Sequence, residues 1–239
     1  MHVETDETTE PVRMMTGKDD KFRPDNKFYG RIKGVRLSAR QAGLVEDLLP
    51  KVRVDLSQPL SFAQNDVWLE IGFGGGEHLA WQATHNLQTG IIGAEPFING
   101  IAKLLVAIAE NGLNNVRIHD TDARTLVPAI PDGSLSRIYL LYPDPWHKQR
   151  HRKRRFVNDE TIGQFHRMLK PGGLFRFASD IEDYVNWTVS FIDRHGGFDY
   201  AGNCPADWRQ PFEDWQQTRY EKKALREGRQ PSYLSFVKR

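Results

Sequence analysis

Short apolar runs alternate with longer amphipathic stretches from residue 67 onward, and this alternation constrains the fold more than any other feature of the sequence. Each apolar run has the length of a buried strand, whereas the stretches between them have helical spacing. The runs are Val67–Ile71, Ile91–Ala94, Val116–His119, Leu135–Tyr142 and Leu174–Ala178. The helical patterns cover residues 77–86, 97–111, 158–169 and 182–195. Together they predict a doubly wound, Rossmann-like α/β fold: a mostly parallel sheet with helices on both faces.

The two ends of the chain depart from this alternation. Residues 1–26 are polar, contain several helix breakers and offer little to bury, which predicts a flexible N-terminal arm. Residues 27–40 combine five cations with aromatic and aliphatic side chains. Near the C-terminus, Phe212–Gly228 is expected to form a polar, cationic helix and Ser232–Val237 an antiparallel terminal strand. No linker interrupts residues 27–239, so we expect a single domain there.

Local signals bound the helix at residues 158–169. Asn158 is a good N-cap, and Asp159 and Glu160 place negative charge at the positive end of the helix dipole. Pro171-Gly172-Gly173 is expected to stop the helix before the fifth strand.

Composition excludes several classes of protein. Cys204 is the only cysteine, so an internal disulfide and a thiolate metal cluster are excluded. The eight histidines lack the spacing of metal ligands, and no apolar run has the length of a membrane span. The N-terminus lacks the features of a signal peptide. We therefore expect a cytoplasmic protein without a metal or a membrane partner, and the sequence indicates no obligate protein partner.

A glycine-rich loop follows the first strand, within residues Glu70–Glu77. Glycines at Gly72, Gly74 and Gly76 allow a sharp turn and bring a ligand close to the backbone at the start of the next helix. The loop alone could equally be a tight connection between strand and helix. Two further carboxylates make a ligand site more specific: Glu95 ends the second strand, where such folds bind ribose hydroxyls, and Asp122 follows the third.

The glycine spacing also bears on which cofactor is bound. A nicotinamide cofactor is one alternative, but its usual motif is G-x-G-x-x-G, whereas this loop reads G-x-G-x-G. Glu70 stands two residues before the first glycine, and a carboxylate there suits a sulfonium better than a pyrophosphate. These features favour S-adenosylmethionine.

The fourth strand ends in a rigid segment, where Pro143 and Pro145 flank Asp144. The carboxyl end of this strand should face the reacting group, because ligands sit where the strand order reverses. The prolines are expected to restrict Tyr142 and Asp144 to extended backbone, which would fix the position of the Asp144 carboxylate. We expect Trp146 to pack underneath as a structural residue.

A dense basic run follows, and six of the eight residues from Lys148 to Arg155 carry permanent positive charge. A charged run is often only a solvated surface, but this one adjoins the expected active site. Binding of nucleic-acid phosphates is the natural use of such a cluster. The predicted phosphate contacts are Arg150, Arg152, Lys153, Arg154 and Arg155.

The segment Pro143–Lys148 together with the basic run resembles the signature of the bacterial tRNA (guanine-N7)-methyltransferases, which are class I S-adenosylmethionine-dependent enzymes. Ser179-Asp180 and Thr218–Glu221 resemble two further elements of that family, and the similarity spans about residues 27–239. The resemblance implies methyl transfer from S-adenosylmethionine to N7 of a guanine in the tRNA variable loop.

The resemblance also implies a role for particular residues. Glu70, Glu95, Asp122 and Asp144 would contact the cofactor, and Asp144 would be the catalytic residue. Substrate contacts would come from Lys148, Asp180, Thr218, Arg219, Tyr220 and Glu221. Other possibilities stay open: a methyltransferase for another acceptor, an RNA-binding protein that keeps the fold without catalysis, and a nicotinamide oxidoreductase.

Overall fold

A computed structural model describes residues 32–58, 60, 64–202 and 204–239. The N-terminal arm expected at residues 1–26 lies outside this range. The α-helices are α1 (Ala39–Asp47), α2 (Leu49–Val52), α3 (Glu77–His85), α4 (Ile98–Asn111), α5 (Ala123–Leu126), α6 (Asp159–Met168), α7 (Glu182–His195) and α8 (Arg219–Arg226). Short 3-10 helices occupy Val127–Ala129, Gln149–Arg154 and Pro205–Arg209. The strands are β1 (Asp66–Ile71), β2 (Thr89–Ala94), β3 (Val116–His119), β4 (Leu135–Leu141), β5 (Leu169–Ser179), β6 (Phe198–Tyr200) and β7 (Ser232–Lys238).

The seven strands form one sheet in the order β3-β2-β1-β4-β5-β7-β6. Strands β1 to β5 run parallel to one another, and β7 pairs antiparallel with both β5 and β6. The order reverses between β1 and β4, which is where a doubly wound sheet opens a crevice at its carboxyl edge. The predicted fold class and the antiparallel terminal strand are confirmed.

Side chains of β1 alternate between two hydrophobic cores, one on each face of the sheet. Val67, Leu69 and Ile71 belong to the core that α6 and α7 cover, whereas Trp68 belongs to the core under α2, α3 and α4. This period of two follows from the pleat of a strand. Burial on both faces explains why the strands read as continuous apolar runs in the sequence.

Two element boundaries differ from the expectations, and one strand was not predicted. Helix α6 begins as predicted, with the Asn158 side chain accepting a hydrogen bond from the Thr161 amide at 2.9 Å. However, β5 begins at Leu169, so Pro171-Gly172-Gly173 lies within an irregular first part of the strand and not between helix and strand. The expected helix at 212–228 is confined to α8, and the short strand β6 was not predicted.

Among the described residues, no helix has the length and apolarity needed to cross a bilayer.

Candidate active site

A cavity of about 660 Å³ opens at the carboxyl ends of β1, β2 and β4, where the strand order reverses. This volume lies within the roughly 300–1,000 Å³ typical of small-molecule sites. Eight of the residues predicted from the sequence line the cavity: Gly72, Gly74, Glu95, Asp122, Asp144, Arg154, Arg219 and Tyr220. The structure thus brings together residues that are up to 148 positions apart in the chain, as between Gly72 and Tyr220.

The glycine loop after β1 is held by the second strand and by α4. One oxygen of the Glu95 carboxylate accepts a hydrogen bond from the Gly74 amide at 2.8 Å, and the other accepts from the Phe97 amide at 2.9 Å. A Cβ atom at Gly100 would lie 2.0 Å from the Gly74 carbonyl oxygen, so only glycine permits this close approach of α4. Glu95 is buried, and desolvation raises the pKa of its carboxyl group despite these two hydrogen bonds.

Gly74 also makes room for α8. Its φ of 57° is left-handed, and a Cβ atom there would lie 3.1 Å from the Tyr220 ring. Tyr220 and Arg219 therefore close over the glycine loop, with the Arg219 Nη2 atom donating a hydrogen bond to the Tyr220 hydroxyl at 3.1 Å.

Glu70 and Gly76 stand behind this wall. The Glu70 carboxylate is buried and lies 2.7 Å from Nδ1 of the buried His78, on the face of β1 that α3 covers. Gly76 forms the left-handed N-cap of α3. In this geometry both residues support the loop from behind, and their predicted contact with the cofactor stays a prediction.

Asp122 reaches the cavity as the N-cap of α5. Its side chain accepts a hydrogen bond from the Arg124 amide at 3.0 Å, and Arg124 itself lines the cavity. Behind it, Nε2 of His119 lies 2.8 Å from the hydroxyls of both Thr121 and Thr125. Burial lowers the pKa of His119, and the hydrogen bonds of its ring fix the turn that carries Asp122.

The loop after β4 has an unusual backbone. Tyr142 has a φ of 50° and Trp146 a φ of 45°, both in the left-handed region that is disfavoured for non-glycine residues. The expectation that Tyr142 is extended was therefore wrong. The two left-handed residues bend the chain on either side of Pro143-Asp144-Pro145, so that Asp144 enters the cavity wall.

Asp144 carries the free carboxylate of this loop. In the part of the chain that the structure describes, no group donates a hydrogen bond to this carboxylate. One side of the residue is open to solvent. Desolvation by the cavity walls raises the pKa of its carboxyl group. Its charge also contributes to the raised pKa of Glu95, so the two carboxylates interact electrostatically across the same cavity.

The basic run divides into buried and exposed residues. The Arg155 side chain is fully buried: it forms an ion pair with Asp183, donates a hydrogen bond to the Pro145 carbonyl at 2.9 Å, and lies over the rings of Tyr184 and Trp187. Its predicted role in binding phosphates is therefore wrong, because the guanidinium cannot reach RNA. Arg155 instead ties the loop after β4 to α7.

Arg152 is intermediate, since it also forms an ion pair with Asp183 at 2.8 Å while remaining partly exposed. The hydrogen bond from Arg155 and the positive charges of both arginines lower the pKa of Asp183.

Of the remaining cations in the run, Lys148 precedes the 3-10 helix at Gln149–Arg154, and the others lie on that helix. Lys148, Arg150 and Lys153 are exposed, and Arg154 lines the cavity with its guanidinium 5.0 Å from the centre of the Trp146 ring. Trp146 was expected to pack underneath the loop, but it forms part of the cavity wall. We call the surface formed by Lys148, Arg150, Lys153 and Arg154 the cationic strip. It meets the cavity at Arg154.

The element Thr218–Glu221 contains two kinds of residue. Thr218 caps α8, and its hydroxyl accepts a hydrogen bond from the Glu221 amide at 3.2 Å. Glu221 is buried, with one carboxylate oxygen accepting from Trp215 Nε1 at 2.7 Å and the other from the Tyr233 hydroxyl. Only Arg219 and Tyr220, between them, line the cavity.

Asp180, at the end of β5, accepts a hydrogen bond from Arg229 Nε at 2.5 Å and lies outside the cavity wall. Its predicted contact with substrate stays a prediction, which in this geometry requires an opening of the ion pair.

The segment before α8 is irregular because the sheet binds it. The Asp214 carboxylate lies between Arg137 of β4, at 2.5 Å, and Arg176 of β5. Burial alone would raise the pKa of Asp214, but the two guanidiniums lower it. The Gln82 amide of α3 donates to the Asp214 carbonyl at 2.8 Å, which links the segment to the helix of the glycine loop.

Several cavity residues were not found from the sequence. Phe97, Arg124 and Phe156 line the wall but belong to no recognisable motif. Among the described residues, no group of three or more His, Cys, Asp or Glu side chains could hold a metal ion.

Comparison with known proteins gives the following matches. A family model described as "Putative methyltransferase" matches residues 64–233. The chain is 48% identical over 230 residues to a tRNA (guanine-N(7)-)-methyltransferase of Agrobacterium fabrum, covering 93% of this chain and 99% of that protein. It is 52% identical over 226 residues to the enzyme of the same name from Ruegeria pomeroyi, covering 90% of this chain and 95% of that protein. A solved 16S rRNA methyltransferase, KamB, superimposes with a TM-score of 0.53 at 15% identity over 73% of this chain and 88% of that one, a likeness in fold alone.

Proposed function

The chain belongs to the tRNA (guanine-N(7)-)-methyltransferase family, and from this premise we propose how its cavity and basic strip carry out the reaction. The protein transfers a methyl group from S-adenosylmethionine to N7 of a guanine in tRNA. The predicted family and cofactor are confirmed, and the oxidoreductase alternative is wrong. We propose that the guanine lies in the variable loop and that residues 27–239 act as one methyltransferase domain.

One observation carries the assignment of roles: the cavity built on the glycine loop and the cationic strip after β4 share a wall, at Asp144 and Arg154. A donor pocket and a phosphate-binding surface must adjoin if one enzyme is to methylate RNA. Strand β4 provides both, since its loop carries Asp144 and runs directly into the strip.

The residues present fit S-adenosylmethionine. The cavity has an adequate volume, and a Cβ atom at Gly72 would meet no atom within 4 Å, so the backbone there borders open space that a ligand can fill. Glu95 and Asp122 keep further acceptor positions on their carboxylates for ribose hydroxyls and the adenine amino group. Both ends of the ligand-binding crevice are thereby supplied with acceptors, as in other doubly wound folds.

When bound, S-adenosylmethionine supplies a methyl group activated by a sulfonium. Guanine N7 has a lone pair and no proton, so no residue needs to act as a general base. The N7 lone pair would form the new N–C bond, and the electron pair of the broken C–S bond would remain on the sulfur of the donor. The task of the protein is then to hold the purine in line with the methyl group.

Asp144 is the residue proposed to touch the reacting base. Its carboxylate can accept hydrogen bonds from guanine N1–H and the exocyclic amino group, and its negative charge stabilises the positive charge that develops on the purine. The rigid loop and the absence of any competing hydrogen bond from the described residues leave this carboxylate available.

Lys148, Arg150, Lys153 and Arg154 are proposed to bind tRNA phosphates, with Arg152 contributing if it leaves Asp183. These contacts would fix the register of the RNA without reading its sequence. Arg219 and Tyr220 cover the cavity from the opposite side, where they would contact the bound guanine.

Incubation of the purified protein with methyl-labelled S-adenosylmethionine and unmodified tRNA tests the proposal. We expect one labelled 7-methylguanine, and mapping of the modified nucleotide identifies its loop. Label at an exocyclic amine or a ribose would contradict the reaction, whereas 7-methylguanine elsewhere in the tRNA would contradict only the variable-loop assignment.

A further inference from the structure

The segment Ile32–Arg36, which we call the docked segment, lies across the start of α4. The Ile98 amide donates a hydrogen bond to the Ile32 carbonyl at 3.0 Å. The Asn99 side chain then binds the segment twice: its Oδ1 atom accepts from the Gly34 amide at 2.8 Å, and its Nδ2 atom donates to the Val35 carbonyl at 2.6 Å. Three hydrogen bonds therefore fix a stretch that has no secondary structure of its own.

The docked segment is in direct contact with the cavity wall. A Cβ atom at Gly34 would lie 2.8 Å from the Phe97 ring, so the backbone at Gly34 packs on that ring. Phe97 lines the cavity and follows Glu95 by two residues. The segment is thus the outer layer of the wall at the end of β2.

Two cations on the docked segment are free to bind a partner. Lys33 and Arg36 are exposed, and neither forms an ion pair with any residue in the ranges that the structure describes. Arg40, in α1, is in contrast paired with Glu110 at 2.8 Å. Ile32 and Val35 are also strongly exposed, at 56% and 83%. A fixed backbone that presents unpaired cations beside exposed apolar side chains is typical of a contact surface.

The sheet order places this surface opposite the strip after β4. Strands β2 and β4 are the two neighbours of β1, so they flank the cavity on opposite sides. With adjacent strands about 5 Å apart, their ends are separated by roughly 10 Å, and the side chains extend outward from there.

We propose that Lys33 and Arg36 bind tRNA phosphates on the β2 side of the cavity, so that the RNA backbone is held on both sides of Asp144. The inference rests on the proposed function and adds a second contact surface to it. Asn99 acts as the positioning residue, because it fixes the docked segment without touching the RNA.

Charge reversal of both cations, Lys33→Glu with Arg36→Glu, tests the proposal. The readouts are the Michaelis constant for tRNA and the slope of log affinity against log salt concentration. Each lost phosphate contact lowers that slope by about 0.7–0.9, so the double variant should lose about 1.4–1.8 and raise the tRNA Michaelis constant at least about tenfold. Affinity for S-adenosylmethionine should not change. Both side chains are exposed, so the melting temperature should match that of the wild type.

Two further variants make the result specific. Lys170→Glu reverses a charge at the start of β5, at the opposite edge of the sheet, and should leave tRNA binding unchanged. Asn99→Ala keeps the net charge but releases the docked segment, and it should raise the tRNA Michaelis constant as well.

If the double variant has the wild-type Michaelis constant and salt slope, the inference is overturned. The proposed function stands in that case, provided that the wild-type protein methylates tRNA. An equal loss in Lys170→Glu would also overturn it, because the effect would then reflect net charge. If the wild-type protein fails to methylate tRNA, the proposed function fails and the inference falls with it.

Discussion

Replacement of Asp144 by asparagine removes one negative charge while keeping the shape of the side chain. A unit charge pair about 4 Å apart is worth about 4 kcal/mol at an effective dielectric constant of about 20, and about 1 kcal/mol in bulk water. Asp144 is desolvated by the cavity walls on one side and open to solvent on the other, so its effect lies between these limits. At 1.36 kcal/mol per tenfold change, kcat should fall by a factor between about 5 and about 10³, with about 100-fold as the central value.

Single-turnover methylation with saturating tRNA isolates this effect from product release, and calorimetry gives the affinity for S-adenosylmethionine. We expect that affinity to remain within about threefold of wild type, since asparagine retains an acceptor oxygen. Asp47→Asn, the same change on the exposed end of α1, is the matched control and should leave both quantities unaltered. A variant with full single-turnover rate would show that the carboxylate charge plays no part in the transition state.

Three further outcomes follow from the described contacts. Desolvation raises the pKa of Asp144 and its ionised form is the active one, so kcat should fall with decreasing pH at a higher pH than for a free aspartate. Because asparagine does not titrate, this acidic limb should be absent in Asp144→Asn. Arg155→Met should lower the free energy of unfolding by about 2 kcal/mol in urea titrations because it removes a buried set of hydrogen bonds, whereas Lys153→Met should change it by less than about 0.5 kcal/mol. Glu221→Gln should cost about 1–3 kcal/mol of stability, because Trp215 and Tyr233 donate to different carboxylate oxygens and the amide nitrogen that replaces one of them cannot accept; an unchanged unfolding curve would argue that Glu221 is free to bind substrate.

The central sheet could be read from the sequence because its strands are buried on both faces. Val116–His119 was predicted to the residue, and the helix at 182–195 likewise. The segment before α8 could not, because its conformation depends on partners distant in the chain. Asp214 binds Arg137 and Arg176, and these contacts hold the chain against the sheet where a polar pattern alone predicts helix.

The site shows the same division between local and distant information. Residues at strand ends, such as Glu95 and Asp122, were placed by topology alone. Arg155 was misassigned because a run of cations gives no indication of which member turns inward, and the decisive partner, Asp183, stands on another element. Glu221 matches a motif, yet its two hydrogen-bond donors come from Trp215 and from Tyr233 of β7, so only the structure shows that its carboxylate is occupied.

The left-handed backbone at Tyr142 and Trp146 has a consequence for how the protein tolerates change. Each such residue costs the native state about 1–2 kcal/mol, and the rest of the fold must offset that cost permanently, with or without RNA. Glycine at either position would relieve that backbone cost but would also remove side-chain packing, because Tyr142 packs against the core under α2, α3 and α4 and Trp146 contacts Arg154. The side chains at these two positions therefore contribute packing that offsets the strained backbone on either side of Asp144.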